Sequence, residues 1–145
     1  MVSGVPLPPV NRFGISQGLS HNSVRSVIQD HHGFIWMGTY DGLNRYDGRE
    51  FRIFRNRLND TASLPHNYIY ALHEDKSKNL WVGTGQGVVR FDPVRAAFVP
   101  LLIQPNYAPK PGRVPVSANA IQSDDEGNLF IATIGWGFLW KRPQE

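Results

Sequence analysis

The sequence contains no cysteine. Disulfides and thiolate metal sites are thereby excluded, while the compartment stays open, because many periplasmic proteins also lack cysteine. No apolar run approaches the ~18 residues of a membrane-spanning helix, and Met1 to Val10 lacks the charged start and apolar centre of a signal peptide. No direct membrane contact is expected of this segment. Runs of five like charges are also missing. The net charge is only +3, and the 15 cations, mostly arginines, are scattered along the chain. That spread describes a solvated surface and not a nucleic-acid patch, so no nucleic-acid partner is expected. There is no Gly-rich phosphate loop, no His-Glu-x-x-His and no nucleophile elbow. The adjacent Asp124 and Asp125 point apart in a turn and make a poor acid–base pair. His31-His32 lacks converging partners for a metal and is expected to be a solvated turn. No catalytic residue, metal site or cofactor is expected.

What is present is a repeat. The 145 residues suit one domain, and 14 glycines with 11 prolines supply the many turns of an all-β protein. Gly33 to Asp47 reads GFIWMGTYDGLNRYD, two short strands around an Asp-Gly turn. It returns as Asn79 to Asp92, NLWVGTGQGVVRFD, and in degraded form as Asn128 to Trp140, NLFIATIGWGFLW. Trp36, Trp81 and Phe130 therefore recur at intervals of 45 and 49 residues. Such a period marks a solenoid, propeller or array.

In chain order, residues 1–10 form a disordered lead, and residues 11–18 a strand without a unit of its own. The first unit spans 19–56, with strands at Val24–Gln29, Phe34–Thr39, Leu43–Tyr46 and Glu50–Phe54. The second spans 64–102, with strands at Ile69–Glu74, Leu80–Thr84, Val88–Phe91 and Ala97–Leu101. Its Pro100 cannot donate to a ladder, so the fourth strand is expected at an edge. Residues 103–116 are a Pro-rich loop. The third unit, 117–145, has strands at Asn119–Ser123, Leu129–Thr133 and Phe138–Lys141 and lacks a fourth. Asp30, Asp75 and Asp124, with Gly33 and Gly127, are read as structural turn residues.

Leu19 to Gly48, with Asp30, Gly33, Trp36, Gly38-Thr39, Gly42-Leu43 and Arg45-Tyr46-Asp47 at fixed offsets, closely resembles the two-component regulator propeller repeat. The resemblance covers Leu19 to Leu102 well and Ser117 to Trp140 in part. It implies four-stranded propeller blades, three in this chain, in the periplasmic sensor region of a bacterial hybrid two-component histidine kinase. It also implies recognition without catalysis, with a carbohydrate or other polar ligand as the oligosaccharide-type partner. A structural or protein-interaction scaffold is the alternative; a propeller-type lyase or hydrolase is a further one.

One blade cannot cover both apolar faces, so Trp36, Trp81 and Phe130 are read as inter-blade core. Three blades do not close a ring. The lone 11–18 strand and the incomplete third unit suggest that one chain completes the blade of another, giving a six-bladed homodimer, with a trimer as the lesser version. Topology puts the entry to each first strand and each second-to-third-strand loop on one face. The ligand-binding residues expected there are Trp136, Tyr40, Asp41, Gln86, His66, Asn67, His21 and Asn22, with Asn22 and Asn67 also able to cap turns.

Overall fold

A computed structural model describes residues 4, 6–103 and 112–143. The rest of the 1–10 lead, the centre of the 103–116 loop and residues 144–145 lie outside the described residues.

Three antiparallel sheets stand side by side. The first runs β1 (Val24–Gln29), β2 (Ile35–Thr39), β3 (Gly42–Tyr46) and β4 (Phe51–Phe54). The second runs β5 (Ile69–Glu74), β6 (Leu80–Thr84), β7 (Gly87–Asp92) and β8 (Ala97–Pro100). Each is a simple meander, the form of a propeller blade. A two-stranded ribbon follows, β9 (Leu102–Ile103) with β10 (Gly112–Arg113). The third sheet has three strands, β11 (Ala118–Ser123), β12 (Leu129–Thr133) and β13 (Phe138–Lys141). The strand bounds follow the apolar alternation to within a residue, and Pro100 does lie on an edge strand. The loop expected over 103–116 departs from expectation at its ends, which pair as the ribbon.

The turns between first and second strands are built by one carboxylate each. Asp30 Oδ1 accepts the amides of His32 and Phe34 at 2.9 and 3.0 Å. Asp75 does the same for Ser77 and Asn79, and Asp124 for Glu126 and Asn128. Gly33 and Gly127 take the left-handed conformation that these turns require, at φ 90° and 87°. Lys78 occupies it in the second unit, at φ 70°.

The indole tied to each of the first two turns is a contact between sheets. Trp36 is 2% exposed, with its ring 5.9 Å from Phe54 and 5.1 Å from Phe91 of the second sheet. Trp81 is buried in a second core with Val114, Ala118, Ile121 and Ile131. Each aromatic pair adds roughly 0.5–1.5 kcal/mol beyond its burial. Phe130 differs: it is only half-buried, stacked on Trp140 of its own sheet at 6.4 Å.

Glycines set the spacing. A Cβ on Gly38 would stand 2.5 Å from Ile69 Cγ2, and one on Gly83 would stand 2.5 Å from the Ala118 carbonyl oxygen. Only glycine lets the next sheet approach this closely.

The strand expected over 11–18 does not form. Ile15–Gln17 is a single 3-10 turn, because the Gly14 amide donates to Gln17 Oε1 at 2.7 Å and the Ile15 amide to Asn22 Oδ1 at 3.0 Å. Phe13 then packs on Tyr46 and Phe51 at 5.5 and 6.3 Å. The Ser20 hydroxyl reaches Thr39 Oγ1 at 2.8 Å and accepts from Asn44 Nδ2 at 2.7 Å. These contacts tie the segment to the sheet of its own chain.

Candidate functional site

The loop face is assembled by short hairpins whose closing residue is threonine. Thr39 Oγ1 accepts the Asp41 amide at 2.9 Å and donates to the Gly42 carbonyl. Thr84 repeats this with Gln86 and Gly87. Thr133 closes its hairpin onto Gly137, one residue later, because the third loop carries the extra length of Gly135-Trp136-Gly137. The loops are cross-linked between sheets: the Gly42 amide donates to the Asn67 carbonyl at 2.7 Å.

Five rings gather on this face. His21 lies 5.9 Å from Tyr40, and Tyr40 lies 5.5 Å from Tyr68 of the second sheet. Tyr68 is in turn 4.9 Å from His66 and 6.4 Å from Tyr70. The Arg25 guanidinium stands over the Tyr70 ring at 5.3 Å, a cation–π contact. Tyr40 and Tyr68 remain 37% and 46% exposed, so part of each ring is free to meet a ligand. Histidine orients the cluster. His21 Nδ1 accepts the Ser23 amide and His66 Nδ1 the Tyr68 amide, both at 2.9 Å. Accepting at Nδ1 leaves Nε2 as the N–H donor in each neutral ring. The turns expected to be capped by asparagine are thus capped by the preceding histidine.

The structure brings His21, Tyr40 and His66 together and sends the other expected residues elsewhere. Asn22 serves the Ile15 turn. Asn67 Oδ1 accepts the Asn56 amide at 2.7 Å. Asp41 pairs with Arg55 at 3.2 Å. Gln86 is exposed and lines a separate cleft with Asn56 and Arg113. Trp136 is half-buried, and among the described residues no ring contact joins it to the cluster.

Tyr70 and Arg25 were not readable as site residues. Tyr70 and Arg25 occupy the extra residue of a β-bulge in the first strand of their sheet, as does Asn119 in the third. A bulge re-aims one side chain and leaves no mark in composition. Tyr68 could have been found from its place two residues after a capping histidine. Asn119 Oδ1 is buried without a hydrogen-bond partner.

The opposite face is tied by polar links between sheets. His31, expected to be solvated, bonds Glu74 Oε2 at 2.8 Å through Nδ1 and at 3.1 Å through its amide. Lys76 Nζ donates to the Asp125 carbonyl at 2.7 Å, and His73 Nε2 meets Ser123 Oγ at 2.6 Å. Burial pushes the His73 pKa down, against the opposing pull of Asp75 and Glu74. For Asp75, burial acts to raise the pKa, but hydrogen bonds from Trp81, Asn79 and Ser77 outweigh it and leave the carboxyl below its ordinary value. Asp124 is lowered chiefly by the Asn128 side chain. Asp47 is lowered by the amides of Glu50 and Arg49. Among the described residues, no group of three His, Asp or Glu side chains converges as a metal site, and no helix is long and apolar enough to cross a membrane.

Comparison with known proteins agrees with this architecture. Residues 18–41 and 63–86 match the two component regulator propeller family. A 45-residue stretch is 49% identical to Histidine kinase P4 of Formosa agariphila, covering 31% of this chain and 3% of that protein. The fold resembles an extracellular domain, named for a hybrid two component system of B. thetaiotaomicron, with a TM-score of 0.78 and 24% identity. The match covers 92% of this chain and 19% of that one. A second such domain from the same organism gives 0.69 and 26%, covering 85% and 17%. PorZ of Porphyromonas gingivalis, a surface component of the type-IX secretion system, gives 0.64 and 19%, covering 85% and 20%. The chain thus spans a fifth or less of each of these relatives.

Proposed function

From a chain that carries two-component regulator propeller repeats, we propose a recognition segment of a bacterial sensor, periplasmic, that binds a polar ligand on its loop face without transforming it. A carbohydrate is the ligand class that fits best. The carrying observation is the ring cluster of His21, Tyr40, Tyr68 and His66, partly exposed and spanning two blades. Tyrosine faces cover the apolar side of a sugar ring, while imidazole N–H, tyrosine hydroxyl and Arg25 groups offer hydrogen bonds to its hydroxyls. Because the cluster crosses a blade boundary, a bound ligand favours one relative placement of the blades, which is what a sensor must convert into output.

The test is calorimetric titration against a panel of oligosaccharides, with Tyr40→Ala and Tyr68→Ala as controls. A sugar that binds the parent and loses about tenfold or more affinity in either variant supports the site. Absence of heat and of tyrosine fluorescence change across the panel defeats it.

A scaffold reading is favoured by a different observation. On the outer side of the third blade Ile134, Phe138 and Trp140 are 59%, 69% and 55% exposed. Self-association is proposed to use this aromatic face.

A further inference from the structure

The arginines that are scattered in sequence are gathered by the fold. Arg52 on β4, Arg55 and Arg57 beyond it, and Arg95 ahead of β8 line one cleft of ≈ 370 Å³ at the outer rim, between the first and second blades. The floor is Phe54 and Phe98, and Arg52 lies over the Phe54 ring at 4.7 Å. Arg55 is already neutralised by Asp41, through contacts of 3.2 and 3.3 Å. Among the described residues no carboxylate is within ion-pair distance of Arg52, Arg57 or Arg95. The one acid in the lining, Asp60, uses Oδ1 to accept the Ala62 amide.

The wall of the cleft is built and held. Ser63 Oγ accepts the Arg57 amide at 2.9 Å, and the Asp60 amide returns to the Arg57 carbonyl at 3.1 Å. The Phe98 amide donates to the Ala62 carbonyl at 2.8 Å, docking the connector on the edge of the second blade. Arg57 is thereby anchored on a stapled loop that lines the same cleft as Arg95. Three unpaired guanidinium groups around one concave, partly apolar wall focus positive potential. Guanidinium forks match tetrahedral oxyanions, for which charge-assisted hydrogen bonds are strong.

We infer that this rim cleft is an anion site for a sulfate- or phosphate-class oxyanion, either free or esterified to a sugar, with Arg52, Arg57 and Arg95 as its ligands. It is separate from the ring cluster on the loop face and does not depend on that cluster binding anything.

The experiment is a thermal-shift and calorimetric titration with sodium sulfate, glucose 6-sulfate and glucose, each against sodium chloride at matched ionic strength to remove general screening. The parent is expected to be stabilised by at least one oxyanion beyond chloride. Arg57→Gln and Arg95→Gln are expected to lose about tenfold or more in affinity, as for loss of a charge-assisted bond. Arg49→Gln, exposed on another turn, keeps parental binding. Tighter binding of glucose 6-sulfate than of sulfate assigns an esterified ligand, and equal binding a free ion; both support the site. No shift beyond chloride for either anion overturns it, as does parental affinity retained in both Arg57→Gln and Arg95→Gln. Glucose alone acting as well as its sulfate also overturns it.

Discussion

The second and third blades share a turn, a strand order and a bulge, yet among the described residues the second is covered on both sides and the third on one. Their differences fall on the side facing the next blade. Trp81, Gly83, Val88 and Arg90 of the second blade correspond in register to Phe130, Ala132, Phe138 and Trp140 of the third. Trp81 Nε1 donates to Asp75 Oδ2 at 2.8 Å. In the third blade the indole has moved one strand across. Asn128 takes over Asp124 Oδ2 at 2.8 Å, and Trp140 Nε1 donates to Asn128 Oδ1 at 3.3 Å. The most recognisable letters of the repeat, tryptophan and glycine, therefore serve the neighbour more than the blade that carries them. Ala132 carries the methyl that Gly38 and Gly83 omit, the group that would hold a neighbouring sheet farther off.

The largest effect that would test this contrast is steric. Gly83→Ala puts a methyl against the Ala118 carbonyl oxygen and is expected to cost about 1–3 kcal/mol in urea unfolding. Ala132→Gly should cost no more than the roughly 0.5–1 kcal/mol of added chain freedom. Equal costs at the two positions would break the comparison. Next is Trp81→Phe, which removes a hydrogen bond to a charged group and is expected to cost about 2 kcal/mol, against under ~1 kcal/mol for Phe130→Leu.

A smaller effect concerns pH. The folded protein holds the His73 pKa below its unfolded value of about 6.5, so the unfolded chain binds the proton first as pH falls. Stability is therefore full above ~6.5 and declines below it, and His73→Gln should flatten that part of a urea-midpoint profile. The Asp75 contribution runs in a lower window. Its lowered pKa stabilises the fold above about 3.8 and is lost as pH falls through the folded value. Smallest in stability is Phe138→Ser, expected within ~0.5 kcal/mol of the parent, because this side chain is 69% exposed. Light scattering should nevertheless show less self-association. A parent that is monomeric at micromolar concentration would remove that expectation.

Much of the fold was legible because period and turn chemistry agree. The bounds of Val24–Gln29 and Ile69–Glu74 follow from alternation between turn residues, and the six-residue step from Asp to Trp marks both turns. The candidate site was less so. His21 and His66 announce themselves by position, but Tyr70 and Arg25 owe their placement to a bulge. Trp136 reads like a ligand contact, yet among the described residues no ring contact joins it to the cluster. The rim cleft draws Arg52, Arg57 and Arg95 from three different segments, which reading along the chain shows only as dispersed charge. The N-terminal segment misleads for a similar reason. Phe13 and Ile15 look like a strand until Gly14, Gln17 and Asn22 satisfy the amides locally.

Near the inner strands the spacing between first and second blades is set by Gly38 against Ile69. Farther out it is set by the rings of Phe54, Phe91 and Phe98, with centroids 5.4–5.6 Å apart. The gap is thin inside and thick outside, so each step is a wedge, and a succession of wedges curves. The curvature of the array, and with it the number of blades needed to come full circle, is then governed by the absence of a single methyl group at each inner contact.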